Sequence, residues 1–352
     1  MAHGLIDHDD PLLRDETGVA LATLVSATGS TAKKLGAKML VGRSGRLIGG
    51  VTIGGCVDAQ VIEAADALID RGERRLLSIS LDDDEAWEMG LTCGGAVDVL
   101  LERITPANAA DPITAAHRVV HAALDRGASA VIVTPIDGAA AALVVDETGV
   151  RYGTLGNSAL DAAAATIVPD VAASGARVES LEASGVSQRF FFDRFAPPTT
   201  LVIIGAGQIA MSLTRLAREL EMRTMVIDGR ERYATRERFP DADDIRVGMP
   251  SEIVASLTPN KRVAVVLVAH DYKYELPVLR QLVREPVGYL GMLGSKKRGV
   301  AVRALLREEG FTDDDLARIH TPIGLDLGGK SPPEVALSIL AEVVAIRSGK
   351  RV

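Results

Sequence analysis

The stretch TLVIIGAGQIAMSLTRLAREL, residues 200–220, constrains the fold more than any other part of the chain. A strand-like apolar run leads into the turn GAGQIA (205–210), and an amphipathic helical pattern follows. A second strand-like run, TMVIDGR, then reaches Asp228. Strand, glycine turn, helix, strand and acid in this order form the pattern of a dinucleotide-binding fold. The pattern predicts a Rossmann-like domain.

Strand-like and helical patterns continue to alternate through residues 198–347. The runs VAVVLVAH (263–270) and VGYLGML (287–293) are strand-like, and a helical pattern follows each of them. The sequence SPPE at 331–334 has capping-box spacing and begins a last helix. Such alternation indicates a doubly wound parallel sheet. The proline-containing APPTT at 196–200 marks the start of this domain.

The chain before residue 196 has a different organisation. Residues 15–105 combine strand-like runs such as VALATLVSAT and RRLLSIS with a helical stretch from Val57 to Arg71, which predicts an α+β domain. Residues 106–196 hold two further helical stretches among strand-like runs and are predicted to be an α+β middle segment or connector. The predicted fold class is therefore α/β, with an N-terminal α+β domain followed by a C-terminal Rossmann-like doubly wound parallel sheet.

Composition and charge exclude several classes of protein. The longest apolar runs are of strand length, far short of a membrane span. The formal net charge of -8 argues against a general nucleic-acid binder. We expect no secretory signal in the acidic segment 1–18, which lacks an apolar core, and no disulfide framework from two cysteines. We expect a cytoplasmic protein that binds neither nucleic acid nor membrane, and a homodimer as the commonest closed assembly.

The glycine turn predicts an anion site. Gly205 permits the turn, and Gly207 lets a pyrophosphate approach the backbone at the start of the helix. Asp228 stands where an acid would hold a ribose hydroxyl. These residues are candidates for binding NAD(P) or another nucleotide, and fold alone does not settle which ligand is bound.

Polar residues near other strand ends are further candidates. His270 follows the run VAVVLVA, at the side of an open α/β sheet that binds ligands. Lys296 lies in the turn GSKKRG at a helix start, which suits an anion. A second basic cluster lies beside the turn GST and comprises Lys33, Lys34, Lys38, Arg43 and Arg46. Solvated surface is the default interpretation of both basic clusters, and an anion site is the alternative.

The only two cysteines, Cys56 and Cys93, each abut a Gly-Gly pair, in IGGCVD and LTCGGAV. Two inert thiols in tight turns are the plain interpretation. The alternative is one shared site, in which Gly54, Gly55, Gly94 and Gly95 clear space for a large ligand. A helix that begins near Cys56 would lower the pKa of its thiol and favour the thiolate. By softness, thiolates would suit sulfur chemistry or a molybdenum or copper centre.

These segments together resemble the XdhC/CoxI family of accessory factors for molybdenum hydroxylases such as xanthine dehydrogenase. The resemblance is carried by GSTAKKLGAKMLV, IGGCVDAQVIEAA, AWEMGLTCGGAVDVLLE, GAGQIA, AHDYKYELP, GYLGMLGSKKR and the segment from ARIHTPIGLDLGGK to the last helix. It is weak in the middle segment. The chain departs from the family at Ile53, where serine is frequent, at Ala32 and Leu35, where prolines are frequent, and at Gln208, where histidine is common.

The resemblance implies a function. The family binds molybdenum cofactor, supports its sulfuration with a cysteine desulfurase, and delivers it to an apo-hydroxylase subunit. Cys56 and Cys93 match its two glycine-flanked cysteines and become candidate catalytic residues and molybdenum contacts. An NAD(P)-dependent oxidoreductase built on the Rossmann-like domain is the alternative, although it leaves the thiols unused. An independent molybdenum hydroxylase is disfavoured, because two cysteines cannot hold a four-thiolate iron–sulfur cluster.

Overall fold

The computed structural model describes Leu13 and residues 18–29, 35–50, 55–72, 74–81, 95–183 and 185–350. It divides into two compact units, Met1–Pro197 and Pro198–Val352. Within the described residues, no helix is long and apolar enough to cross a lipid bilayer.

The first unit contains two five-stranded antiparallel sheets. Sheet A consists of β1 (Val19–Gly29), β2 (Lys38–Val41), β3 (Leu47–Gly50), β4 (Arg75–Leu81) and β5 (Gly95–Ile104), in the order β3-β2-β1-β5-β4. Sheet B consists of β6 (Ala130–Pro135), β7 (Ala142–Asp146), β8 (Arg151–Thr154), β9 (Arg177–Ala183) and β10 (Val186–Phe195), in the order β8-β7-β6-β10-β9. Among the described residues, the longer helices of this unit are α1 (Gly55–Arg71), α2 (Pro112–Asp125) and α3 (Ser158–Ser174).

Side chains alternate between the two faces of each sheet, and each face packs against a different layer of the first unit. On β1, Ala20, Ala22 and Leu24 pack with α1, which turns Val57, Val61, Ala65, Leu68 and Ile69 toward sheet A. On β6, Val131 and Val133 pack with α3. The opposite faces meet: Leu21 and Ile132 belong to one core that α2 also enters, and Phe191 joins Val25 and Leu100 in another. Since side chains alternate along a strand, each sheet buries both faces and the two sheets share a core.

The interface between the two sheets also buries charge. Lys38 of β2 is 3% exposed and donates to Asp193 of β10, and Arg74 donates from Nε to Oε1 of Glu102 at 2.7 Å. Burial raises the pKa of Asp193 and of Glu102, against the opposing effect of their cationic partners. Lys38, Glu102 and Asp193 line a cavity of about 20 Å³, which suits a single water molecule. The solvated-surface interpretation therefore fails for Lys38.

The other members of that basic cluster differ from Lys38. Arg43 and Arg46 are exposed, as a solvated face requires. Lys33 and Lys34 lie outside the described residues.

The second unit is one parallel sheet between two helical layers. Its strands are β11 (Thr200–Ile204), β12 (Arg223–Asp228), β13 (Asp244–Val247), β14 (Val263–Leu267), β15 (Tyr289–Met292) and β16 (Ile319–His320), in the order β13-β12-β11-β14-β15-β16. Its helices are α4 (Gln208–Glu219), α5 (Pro250–Ala255), α6 (Tyr272–Leu282), α7 (Lys296–Glu308), α8 (Asp313–Ala317) and α9 (Pro332–Arg347). This strand order is that of a doubly wound dinucleotide-binding sheet, so the predicted Rossmann-like domain is confirmed.

Both faces of this sheet are apolar because helices cover both. Leu201 and Ile203 of β11 pack with α4 and α9, and Val202 and Ile204 pack with α5 to α8. The order of strands reverses between β11 and β14, which places a crevice at their carboxyl ends. Gly205, Asp228 and His270 lie at this edge of the sheet.

Candidate functional site

The glycine turn lies at the switch point of the parallel sheet. Gly205 has a φ of +108°, and a Cβ there would lie 2.6 Å from Cα of Ala269, which follows β14. Only glycine allows this backbone to pass so close to the neighbouring strand end. A Cβ on Gly207, in contrast, would meet nothing within 4 Å. The protein therefore packs closely against Gly205, whereas no described residue fills the space beside Gly207.

The start of α4 fits an anion. Gly207 is the residue that precedes the helix, and no side chain caps the first turn there. The first amides of a helix point outward and carry the positive end of the helix dipole. An oxyanion could therefore approach the open side of Gly207 and accept from these amides.

Asp228 ends β12 beside the turn, and its carboxylate is already engaged. Oδ2 accepts from the amide of Ala206 at 2.7 Å and from Nη2 of Arg230 at 2.7 Å. Oδ1 accepts from the amide and from Nε of Arg230, both at 2.9 Å. Burial raises the pKa of this carboxyl, and the hydrogen bonds outweigh burial and hold the pKa below its usual range. The carboxylate thus fixes the glycine turn to β12, and its role toward a ribose stays a prediction.

The exposed group at this strand end is Arg230. Its side chain is 46% exposed, and its guanidinium lies 4.0 Å from the ring centre of Tyr233. A nearby arginine at this position of a Rossmann-like fold suits a phosphate on the ribose or another anion. This arginine was not among the sequence candidates, although DGRER placed it two residues after Asp228.

His270, Glu275 and Arg298 form a second cluster at the same edge of the sheet. His270 follows β14 with a φ of +56°, and its amide donates to Oε1 of Glu275 at 3.0 Å. Arg298 of α7 donates from Nη2 to Oε2 of Glu275, and its Nη1 lies 3.5 Å from Nδ1 of His270. Its guanidinium also lies 4.5 Å from the ring centre of Tyr272. Sequence reasoning missed Glu275, because an acid in a helix start is ordinarily solvated.

Burial and charge shift the pKa values of two groups in this cluster. Glu275 is fully buried, and burial raises the pKa of its carboxyl to about 7, against the lowering effect of Arg298. Burial and the Arg298 charge lower the pKa of His270. The cluster therefore holds a buried carboxyl that titrates near pH 7, beside an imidazole whose pKa is lowered.

Hydrogen bonds and close approach connect most of the predicted residues of the second unit. Asp228 holds Ala206, Gly205 abuts Ala269, and His270 follows Ala269 and faces Arg298. Lys296 is exposed at the first position of α7, two residues before Arg298. The structure therefore brings Gly205, Asp228 and His270 to one edge of the sheet, with Lys296 nearby on α7.

The predicted thiol site belongs to the first unit. Gly55 and Cys56 are the first two residues of α1, so the predicted helix start near Cys56 is confirmed for the backbone. Gly95 is the first residue of β5, where it pairs with Gly29 of β1 and Leu81 of β4. Gly54, Cys93 and Gly94 lie outside the described residues.

The direction of α1 shows where its first residues lie relative to the first residue of β5. Arg71, which ends α1, and Leu101 of β5 line the same cavity, and Asp66 accepts from the amide of Ser44 at 2.8 Å, beside the turn between β2 and β3. A helix of 17 residues is about 25 Å long, and Gly95 lies about 20 Å along β5 from Leu101. The start of α1 is thereby directed toward the end of sheet A at which β5 begins.

Two family models match the chain. The XdhC and CoxI family matches residues 12–80, which include Cys56, and the XdhC Rossmann domain matches residues 201–343. Together the two matches cover more than half of the chain and both of its compact units.

Relatives match over nearly the whole chain. A protein from Bacillus subtilis that is described as a probable xanthine dehydrogenase component is 29% identical over 342 residues, 96% of each chain. The molybdenum cofactor insertion chaperone PaoD from Escherichia coli is 27% identical over 331 residues, 94% of this chain and 84% of PaoD. A crystal structure of a xanthine dehydrogenase from Bacillus halodurans superposes with a TM-score of 0.76, at 24% identity over 97% of this chain and 94% of that one, which shows the shared fold. The chain belongs to the XdhC and CoxI family.

Proposed function

We propose that this protein is an accessory factor that binds molybdenum cofactor, supports its sulfuration and delivers it to a molybdenum hydroxylase of the xanthine dehydrogenase or CO dehydrogenase type. The observation that carries the proposal is the match to PaoD, a molybdenum cofactor insertion chaperone, over 94% of this chain. That match spans both units, so it includes the cysteine region as well as the glycine turn. The cofactor is cargo in this proposal, and the protein is a chaperone rather than a stand-alone enzyme.

The first unit is assigned the sulfur chemistry. Cys56 is the second residue of α1, and the proposal uses its thiolate, the nucleophilic and metal-binding form of cysteine. The direction of α1 and the start of β5 at Gly95 support a shared site for Cys56 and Cys93, with Gly54, Gly55, Gly94 and Gly95 leaving room for the ligand. Thiolates suit contact with molybdenum by their softness. A cysteine desulfurase is the proposed sulfur donor.

The second unit is assigned an anionic group of the cargo. The open side of Gly207 at the uncapped start of α4 supports phosphate binding there. Lys296 adds positive charge near this edge of the sheet, and Arg230 adds a guanidinium whose charge Asp228 balances. Gly205, Asp228 and His270 shape the turn and its rim.

NAD(P)-dependent oxidoreduction is the second candidate, because the strand order and the open turn also suit a dinucleotide. The hydrogen bonds of Asp228 count against it. All four of those bonds come from protein groups, whereas the ribose contact of NAD needs a carboxylate that can still accept.

The test uses the full-length protein, purified from cells that make the cofactor. Bound molybdenum is measured by mass spectrometry and pterin by fluorescence, for the unchanged protein, for Cys56→Ser and for Cys93→Ser. Ser78→Ala, an exposed position on β4, is the control. We expect both cysteine variants to lose bound cofactor and the activation of an apo-hydroxylase, while the control keeps both.

Two results would contradict the proposal. Unchanged molybdenum, pterin and activation in both cysteine variants would exclude the thiol site. Tight NADH or NADPH binding with turnover, in a protein that carries no pterin, would favour the oxidoreductase. Light scattering of the same preparations tests the proposed homodimer.

A further inference from the structure

A small basic cavity lies at the end of α1, at the edge of the first unit opposite to the start of β5. It measures about 140 Å³, and three arginines contribute to its lining: Arg71, Arg74 and Arg75. Ala64 and Leu68 of α1, with Leu101 of β5, supply apolar lining. An apolar floor with a cationic rim is the character of a site for an anion that carries an apolar body.

Arg74 is the unusual member of this lining. Its side chain is only 8% exposed, and its Nε donates to Oε1 of Glu102 at 2.7 Å. Nη1 and Nη2 of the same guanidinium are buried and have no hydrogen-bond partner among the described residues. Leaving buried donors unsatisfied is costly, and more so when they carry charge. These two nitrogens form the end-on fork that matches two oxygens of a phosphate or carboxylate, and a ligand reaches them by displacing part of the cavity lining.

The charged residues that line the cavity are all positive. Arg71 and Arg75 are exposed, and none of the described lining residues is a carboxylate. Glu102 pairs with Arg74 and neutralises one guanidinium, so among the described lining residues the charges of Arg71 and Arg75 remain. The chain as a whole has a formal charge of -8, which makes this local excess of positive charge an exception. Two uncompensated cations favour a dianion over a monoanion.

Local backbone structure holds the three arginines together. α1 ends at Arg71 because Gly72 takes a φ of +70° and donates its amide to the carbonyl of Leu68 at 2.8 Å. The first residue of β4, Arg75, pairs with Leu101. The arginines thus surround one opening because a glycine-terminated helix and an edge strand adjoin there.

We propose that this cavity binds the phosphate group of a small phosphate ester, with the free fork of Arg74 at its base and Arg71 and Arg75 at its rim. The apolar residues contact the organic part of the ester. The inference rests on the cavity and not on the cofactor-chaperone function proposed above, so either can fail alone.

The test measures binding to the full-length protein of two probes, phenyl phosphate and inorganic phosphate. Isothermal calorimetry gives affinities, and hydrogen exchange read by mass spectrometry localises protection. We expect phenyl phosphate to protect the peptide 61–79 and to bind at least tenfold more tightly than inorganic phosphate, because its ring covers the apolar lining.

The variants separate this cavity from the glycine turn of the second unit. Arg71→Gln/Arg75→Gln removes two exposed charges and should weaken phenyl phosphate binding at this cavity at least tenfold. Arg126→Gln/Arg189→Gln removes two exposed charges elsewhere in the same unit and should leave affinity unchanged. Arg74→Lys keeps the buried charge and removes the fork, and should also abolish protection of 61–79.

Three results would overturn the proposal. In the first, the rim variant Arg71→Gln/Arg75→Gln binds phenyl phosphate as tightly as its control. In the second, phenyl phosphate does not protect 61–79 in the unchanged protein, and in the third, this protein binds phenyl phosphate and inorganic phosphate equally tightly. The rim variant keeps the test valid even if Arg74→Lys fails to fold.

Discussion

Replacement of Glu275 by glutamine should change how the stability of the second unit depends on pH. Burial raises the pKa of the Glu275 carboxyl from 4.5 to about 7 in the folded protein, in spite of Arg298. The folded state therefore binds a proton more tightly than the unfolded state. Stability from this source is fully present below pH 4.5 and is lost as the pH rises through 7. Glutamine cannot titrate and resembles the protonated acid, so Glu275→Gln should lack this loss.

The magnitude follows from the two pKa values. Each pKa unit corresponds to about 1.4 kcal/mol, and linkage over the interval from pH 5 to pH 8 gives roughly 2.5 kcal/mol for a single group. From pH 5 to pH 8, the change in the free energy of unfolding should therefore differ between the two proteins. The decrease should be about 2.5 kcal/mol larger for the unchanged protein than for Glu275→Gln. The steepest part of the difference should lie between pH 5 and pH 7.

The assay is hydrogen exchange of peptides from β11 and β14 in increasing urea, at several pH values from 5 to 8. Glu252→Gln, an exposed glutamate of α5, is the control and should follow the unchanged protein. His270 titrates nearby and its pKa is lowered, so the comparison is repeated in a His270→Asn background. Asparagine tolerates the positive φ of that position. Parallel pH profiles for the unchanged protein and Glu275→Gln would refute the reasoning that burial outweighs the Arg298 charge.

Two further predictions concern the glycine turn and the buried ion pair. Gly205→Ala should cost about 2 kcal/mol or more in urea unfolding, because of its φ of +108° and its approach to Ala269, whereas Gly207→Ala should fold normally and weaken phosphate binding in a calorimetric titration. Equal stability of the two glycine variants would contradict this. Lys38→Met should cost about 3–5 kcal/mol, and more at pH 8 than at pH 5, because the Asp193 left behind takes up a proton at low pH. Adding Asp193→Leu should recover most of that loss, and a double variant as unstable as Lys38→Met alone would disprove the charge argument.

Local patterns in the sequence predicted most of the second unit. The apolar runs around residues 201–204 and 263–267 became neighbouring strands β11 and β14. The capping box at Ser331 and Glu334 begins α9, as expected. These features are local, since strand length, helix periodicity and turn chemistry act within a few residues of one another. Short elements without an apolar run, such as β13, β16 and α5, carried no comparable signal.

The first unit was less accessible to such reasoning. The runs at 19–28 and 74–80 were predicted to be strand-like, and β1 and β4 occupy them. The antiparallel pairing of β1 with β5, and the packing of sheet A on sheet B, join segments far apart in the chain. Polarity alone indicated that Lys38 was solvated, and burial between two sheets reversed that conclusion.

The sequence by itself determined that the chain ends in a Rossmann-like domain, that both thiols are flanked by glycine pairs, and that an anion site is expected at GAGQIA. Each of these features depends on a short segment of consecutive residues. Only the tertiary structure decided that Asp228 is held by Arg230, that Glu275 is buried between His270 and Arg298, and that the buried Arg74 guanidinium keeps two unpaired nitrogens beside a cavity. A side chain's charge and hydrogen bonds depend on which distant segments of the chain exclude water from it. Those segments are brought together only by tertiary packing.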